Sequence, residues 1–457
     1  MTKLPRIMVS GGGSDSGKTM VTCALLELFS RRGLKTAAFK CGPDYIDPMF
    51  HREVQGAHSS NLDLYMLGED AVCRLLFENG AGRDIAVLEG VMGFYDGVGG
   101  STAEASAWHL SQLTETPVLL VENCKGRSLT AAAHIKGVAG FRRNNIRAVL
   151  LNNAGEGLFG MLKPVIERET GLPVAGYLPY MPECALESRH LGLVTAAEVE
   201  DLRQKIARLA NAIEKTLDID GILAAAASAP PLKDRAATAA APAAPPLKKR
   251  PRIAVARDRA FCFYYEDGLK LLEKLGAELV NFSPLKDAVL PPAVDGLILG
   301  GGYPELYAAE LSENVTMLAS VRDAVNGGLP TLAECGGFMY LHRELEGADG
   351  KRYALAAVID ADCEKKDRLV RFGYAEFTAN VDNLLCLAGE TLRGHEFHYW
   401  DSGQAGCGFT AVKPGSGKSW NCIAVTETLF AGFPHFHFCA APETAERFLR
   451  KCCGRGI

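Results

Sequence analysis

Gly12, Gly13, Ser14, Asp15, Ser16, Gly17, Lys18 and Thr19 satisfy the pattern G-x-x-x-x-G-K-[ST]. The motif lies between an apolar run at residues 7–10 and an amphipathic stretch at residues 18–32. No other feature restricts the fold as tightly, because the loop needs a strand ending on one side and a helix beginning on the other. Its glycines let backbone N–H groups turn inward around phosphate oxygens, and the helix N-terminus adds partial positive charge. Lys18 is then placed to reach the β/γ oxygens, and Thr19 to offer a hydroxyl to Mg²⁺. The stretch after the loop reads as a helix, with Val21, Ala24, Leu25 and Leu28 on one face and Gly33 as its stop. A second partial copy, Gly415-Ser416-Gly417-Lys418-Ser419, has Val412 where the first glycine belongs and no amphipathic helix after it, so it reads as a loop.

Around that motif, apolar runs alternate with amphipathic stretches. Strands are expected at residues 7–10, 35–39, 85–89, 118–122, 148–152 and 174–177. Such alternation implies a parallel sheet covered on both faces. From residue 223 to 250 the composition changes to Ala, Pro and Lys with no bulky apolar cluster, which reads as a linker. The expected organisation is therefore 1–222, linker 223–250, and 251–457. After the linker the rhythm resumes with strands at 253–256, 278–282, 296–299 and 331–333, a helix ending at Leu275, and a final hundred residues expected to be mostly strand.

Composition limits the function classes. No apolar run reaches the roughly 18 to 20 residues of a membrane span, and the opening residues lead into the glycine loop without a signal-type apolar core. A cytoplasmic protein that neither enters a membrane nor is exported is expected. A net charge of -5 with the signs interspersed speaks against a nucleic-acid surface. Fourteen cysteines in a long chain of this kind are expected to be mostly reduced and buried.

Two acids stand where strands should end near the loop: Glu89, closing the run at 85–89, and Asp47, shortly after the strand that ends near Lys40. The carboxyl ends of strands line the ligand crevice of an open parallel sheet, and Mg²⁺ prefers hard oxygen donors. Lys40 is placed to neutralise phosphate or a carboxylate. In the second half, a short apolar strand runs into Glu334-Cys335-Gly336-Gly337 and the start of a helix. A cysteine on such a turn is exposed, and the helix start favours its thiolate. The pattern Phe433-Pro434-His435-Phe436-His437-Phe438 puts two histidines on one face, one of them able to act as base. Gly301, Gly302 and Gly336 offer backbone N–H groups for an oxyanion. A zinc site from His395, His398, His435 and His437 is disfavoured, since neither H-E-x-x-H nor a paired-cysteine motif accompanies them. Cys23, Cys73 and Cys124 read as core, and Cys452-Cys453 as a helix end.

Together these segments resemble the cobyrinate a,c-diamide synthase family of cobalamin-pathway glutamine amidotransferases. The resemblance covers nearly the whole chain. It rests most on residues 39–51 (FKCGPDYIDPMFH), 62–66, 88–97, 333–337, 371–377, 393–399 and 433–438. It implies an α/β protein with an N-terminal dethiobiotin-synthetase-like P-loop domain and a C-terminal class I glutamine amidotransferase domain. It implies further that residues 12–19 hold the ATP phosphates, with Lys40 assisting and Asn152 contacting adenine. Thr19, Asp47 and Glu89 would hold Mg²⁺, and Asp44 and Tyr45 would lie beside the corrinoid carboxylate. Cys335 would attack glutamine, and His435 would raise its nucleophilicity. The usual triad has Glu two residues after the histidine; here His437 occupies that position, leaving a Cys-His dyad and an unnamed orienting group. The segment Glu122-Asn123-Cys124-Lys125-Gly126 departs from the family's more frequent Asp-Ala-Arg-Gly type. The implied partners are ATP, L-glutamine and cobyrinic acid or a related tetrapyrrole. Hydrogenobyrinic acid and nickel-sirohydrochlorin are alternative acceptors, and a homo-oligomer is left open. The rival from another class is a P-loop binding protein fused to a silent amidotransferase module.

Overall fold

A computed structural model describes residues 3–56, 59–186, 188–189, 192–193, 195–232, 247 and 249–454. The chain divides into two compact units, residues 1–240 and 241–457.

The first unit is a sheet of seven parallel strands: β1 (Arg6–Gly11), β2 (Thr36–Cys41), β3 (Ser59–Leu62), β4 (Ile85–Glu89), β5 (Val118–Asn123), β6 (Ile146–Asn152) and β7 (Val174–Leu178). The helices are α1 (Lys18–Arg31), α2 (Ile46–Gln55), α3 (Leu64–Gly80), α4 (Ala107–Leu113), α5 (Leu129–Phe141), α6 (Glu156–Thr170), α7 (Leu202–Thr216) and α8 (Ile219–Ala227). The strand order is β3-β2-β4-β1-β5-β6-β7. Each expected strand is present, and β3 is an addition. Parallel pairing sets Glu89 beside Lys40 on one side and Val9 on the other, so the ends of β2 and β4 open onto the loop that follows β1. Val21, Leu25 and Leu28 of α1 meet Val9, Val87 and Val121 of the sheet, which anchors the helix whose N-terminus closes the loop.

Sequence reading begins the linker too early. Residues 223–227 continue α8, because Ile219, Ile222 and Ala226 bury in the core of the first unit. Beyond the helix, Ala229 and Leu232 are also buried. Pro230 offers its carbonyl to the buried Arg6 guanidinium at 2.9 Å, while Thr114 and Thr116 satisfy other nitrogens of Arg6. The rest of the expected linker, 233–246 and 248, lies outside the described residues.

The second unit has a six-stranded sheet. Its strands are β8 (Arg252–Ala256), β9 (Glu278–Phe282), β10 (Gly296–Leu299), β11 (Thr331–Glu334), β14 (Ala424–Val425) and β15 (Leu429–Gly432); between β11 and β14 in the chain come β12 (Arg371–Ala379) and β13 (Thr391–His398). The order is β9-β8-β10-β11-β15-β14, with only β14 antiparallel. Helices α9 (Glu266–Lys274), α10 (Gly336–Tyr340) and α11 (Pro442–Cys452) belong to the same unit. Beyond residue 358 short strands alternate with turns until α11, a stretch rich in strand without being mostly strand; β12 and β13 form an antiparallel pair in a separate four-stranded sheet. The partial motif at 415–419 lies at a hairpin between strands Phe409–Val412 and Ser419–Cys422, not before a helix. All fourteen cysteines are free; most are buried, Cys73 is half-buried and Cys407 is exposed.

Candidate active site

The phosphate loop is shaped by contacts among its own residues. Asp15 and Gly17 adopt positive φ angles of 58° and 90°. Ser16 Oγ donates to the Gly13 carbonyl at 2.6 Å, and Lys18 Nζ folds back onto the same oxygen at 2.9 Å. Burial, with Lys40 nearby, pushes the Lys18 ammonium down to about 8. Gly12 and Gly13 are partly open, and Ser14 and Asp15 are exposed at the loop's crest.

At the strand ends, oxygen and nitrogen groups converge. Thr19 Oγ1 donates to Glu89 Oε1 at 2.7 Å and lies 3.2 Å from Asp47 Oδ1. Lys40 Nζ sits 2.5 Å from Asp47 Oδ2 and 3.0 Å from Glu89 Oε1. His51 Nε2 meets the other Glu89 oxygen at 2.7 Å. Burial disfavours the charge on Lys40, yet Asp47 and Glu89 carry it above the ordinary lysine range. Burial likewise opposes the Glu89 charge, yet Lys40 and His51 hold its carboxyl well below the ordinary range. Among the described residues no group of three or more His, Cys, Asp or Glu side chains is arranged to hold a metal unaided. A hydroxyl and two carboxylates at this spacing do suit a hard cation that also takes phosphate oxygens.

Asn152 Nδ2 donates to the Ser16 carbonyl at 2.9 Å, and its Oδ1 accepts from the Asn153 N–H. It braces the loop from behind, so closely that a β-carbon on Gly17 would stand 2.2 Å from Asn152 Nδ2. A neighbouring cavity, of about 500 Å³, is lined by Asn153, Lys125, Arg127, Leu158 and Tyr180, with Lys125 over the Tyr180 ring. Asp44, just before α2, accepts from Ile46 N–H at 2.8 Å and Asp47 N–H at 3.1 Å, and Tyr45 is buried beside it. Sequence reading also missed Glu122 at the end of β5. Its carboxylate holds His134 at 2.7 Å and Arg127 at 2.9 Å, and the His134 ring lies against Gly12.

In the second unit, Cys335 sits on the turn between β11 and α10 with φ 46° and ψ -100°, and it is buried in the core of that unit, not exposed as the turn alone suggests. A non-glycine residue there is strained, and such strain gathers where a side chain must be aimed. Glu334 pairs with Gly432 in the sheet, and Cys335 N–H donates to the Gly432 carbonyl at 2.8 Å, which brings the elbow beside the segment carrying His435. His435 is 3% exposed. Burial opposes its charge, but Cys335 and Glu334 together carry the imidazole up to about 10. A β-carbon on Gly301 would lie 2.7 Å from His435 Cε1, and one on Gly336 3.1 Å from Gly302 N, so the three glycines expected around an oxyanion share this corner. His437 is separate: it stacks on Tyr265, its Nδ1 accepts from Cys439 N–H, and burial holds it down at about 4.

A nucleotide loop on one sheet and a cysteine elbow with histidine on another are the features of a nucleotide-binding glutamine amidotransferase. The family models agree: residues 7–194 match the CobQ/CobB/MinD/ParA nucleotide binding domain, and residues 252–442 the CobB/CobQ-like glutamine amidotransferase domain.

Relatives narrow the class. The cobyrinate a,c-diamide synthase of Caldanaerobacter subterraneus subsp. tengcongensis is 37% identical, covering 98% of this chain and 98% of its own. Those of Dehalococcoides mccartyi and Priestia megaterium are 39% and 37% identical, each over 98% of this chain and over 98% and 97% of their own lengths. The chain belongs to the cobyrinate a,c-diamide synthase family, carbon–nitrogen ligases with a glutamine amidotransferase domain.

Proposed function

We propose that the protein amidates the a and c side-chain carboxylates of cobyrinic acid, using ATP and glutamine, in cobalamin biosynthesis. The observation that carries the reading is the presence of both sets of groups, loop with carboxylates and cysteine with histidine, in a chain matched end to end by synthases of that name. A carboxylate is a poor acyl donor because its leaving group would be oxide. Its oxygen attacks the γ-phosphorus of ATP, the bond to the β-phosphate oxygen breaks, and ADP leaves an acyl phosphate. Ammonia then displaces phosphate to give the amide. Lys18 and the loop amides from Gly12 to Thr19 stabilise charge moving between phosphate oxygens. Thr19, Asp47 and Glu89 would hold Mg²⁺, which when bound screens that same charge. Lys40, freed from Asp47, would face the phosphates or the substrate carboxylate. Asn153, Tyr180 and Lys125 are the better candidates for the base.

Ammonia comes from glutamine. The Cys335 thiolate attacks the side-chain amide, backbone N–H groups near Gly301, Gly302 and Gly336 hold the oxyanion, and His435 gives its proton to the departing ammonia. Water then cleaves the γ-glutamyl thioester to glutamate. Ammonia passes to the acyl phosphate without equilibrating with solvent, where most of it would be protonated. The test is glutamine-dependent ADP release with cobyrinic acid, hydrogenobyrinic acid and nickel-sirohydrochlorin side by side. Turnover fastest with cobyrinic acid supports the assignment. Preference for either alternative reassigns the acceptor, and no release with any of them refutes the enzyme reading.

A further inference from the structure

In a glutaminase site of this type an acid holds the histidine, and the place two residues after His435 is filled by His437. Buried and engaged with Tyr265 and Cys439, His437 has no carboxylate to offer. Resting on the glutaminase reading above, we infer that Glu334, the residue immediately before the nucleophile, does the missing acid's work. Its carboxylate holds the Nδ1–H of His435 and so turns Nε2 toward Cys335.

Several observations converge on this residue. Glu334 Oε2 lies 3.5 Å from His435 Nδ1, with the two side chains 14% and 4% exposed. Catalytic contacts are often this loose before substrate binds and tighten afterwards. The other oxygen, Oε1, accepts from the Phe436 N–H at 3.4 Å, so the carboxylate grips the histidine segment through backbone and side chain together. The Glu334–Gly432 register fixes this placement, since it sets the end of β11 beside the strand that leads into His435.

Other titratable groups around the imidazole are Cys335, His395, Glu396 and His398. His395 stacks on His435 with centroids 5.0 Å apart, but its Nε2 is engaged by the Tyr265 hydroxyl at 2.8 Å, and burial with the adjacent His435 keeps it neutral. Glu396 lies on β13 and is itself pushed up to about 7 by burial. Glu334 is the acid within ion-pair distance of Nδ1 among the described residues. Nucleophile and orienting acid are then consecutive on one turn, so movement of the elbow shifts both together. Glu334 is a positioning residue: it touches no reacting atom and acts through His435.

Three readings test this on the full chain. Glu334→Gln should lower glutaminase kcat about 100-fold, the lower end of what a positioned base contributes, with KM for glutamine within about threefold. In the same variant, iodoacetamide alkylation of the Cys335 peptide, followed by mass spectrometry, should need a pH about one unit higher, because a neutral amide no longer supports the imidazolium. Glu334→Asp, which keeps the charge, should recover part of both effects. Thermal unfolding reports whether the variants fold. A measurement free of any variant is ¹⁵N NMR of histidine-labelled wild type, in which His435 Nδ1 should be protonated near neutral pH. An unprotonated Nδ1, or Glu334→Gln matching wild type in kcat and alkylation profile, overturns the assignment. Cys335→Ser separates the two layers: if it still hydrolyses glutamine, the glutaminase reading itself fails, whereas an inactive Cys335→Ser beside a fully active Glu334→Gln removes only Glu334.

Discussion

Glu89→Gln is the most informative single change in the first unit. Glu89 is fully buried, and its oxygens receive Thr19 at 2.7 Å, Lys40 at 3.0 Å and His51 at 2.7 Å. Removing one partner of a buried ion pair costs about 3–5 kcal/mol, since the other charge stays in the interior. Here Asp47 still faces Lys40 at 2.5 Å, so the lower end, about 3 kcal/mol, applies. For a unit of this size each kcal/mol shifts the midpoint by roughly 2–4 °C, giving a loss of about 6–12 °C by differential scanning calorimetry. The pH dependence has a definite sign. The folded Glu89 carboxyl is held below its ordinary 4.5, so its stabilisation is complete above that value and fades as pH falls through the lower folded one. The gap between wild type and variant should therefore be full near neutral pH and narrow in acid. ATP-driven ADP release should fall about 100-fold or more, the scale of losing a main charge stabiliser in phosphoryl transfer, while glutaminase activity persists. A variant within about 1 °C and threefold of wild type would refute the account of this cluster.

Other consequences can be measured alongside. With Lys18 pushed down to about 8 in the free protein, nucleotide phosphates should restore its charge. ATP binding above that pH should then take up close to one proton, read by calorimetry in buffers of different ionisation enthalpy; equal heats after buffer correction would contradict it. Gly17→Ala places a β-carbon 2.2 Å from Asn152 Nδ2 at a φ of 90°. The strain is about 1–3 kcal/mol, so nucleotide affinity should drop roughly tenfold in a fluorescent-ATP titration while Cys335 glutaminase is retained.

How far these sites can be read from the chain depends on whether the signal is local. Loop and elbow are local: glycine spacing and the flanking apolar runs suffice to find Gly12 to Thr19 and Cys335. β3 escapes because Ser59, Ser60, Asn61 and Leu62 have no strand-like apolar pattern. Asn61 spends its amide on the Gly42 and Asp44 carbonyls, and Ser60 bonds Asn79, so the polar groups are satisfied inside the fold. The early end given to the first domain has a similar origin, since Ile219, Ile222 and Ala226 find their partners in distant strands. Asn152 and Asn153 are adjacent and alike in sequence. Only the bond from Asn152 to Ser16, 136 residues away, separates a loop brace from a cavity wall. Glu334 stands in plain view beside the nucleophile, but its role depends on contact with a segment 102 residues later.

If one chain carries two chemically separable half-reactions, diamide formation from ammonium and ATP should separate them in two variants. Cys335→Ser should lose glutamine-dependent synthesis yet make diamide when ammonium is supplied, whereas Lys18→Ala should make none from either nitrogen source. Failure of ammonium to rescue folded Cys335→Ser, or undiminished synthesis by Lys18→Ala, would contradict it.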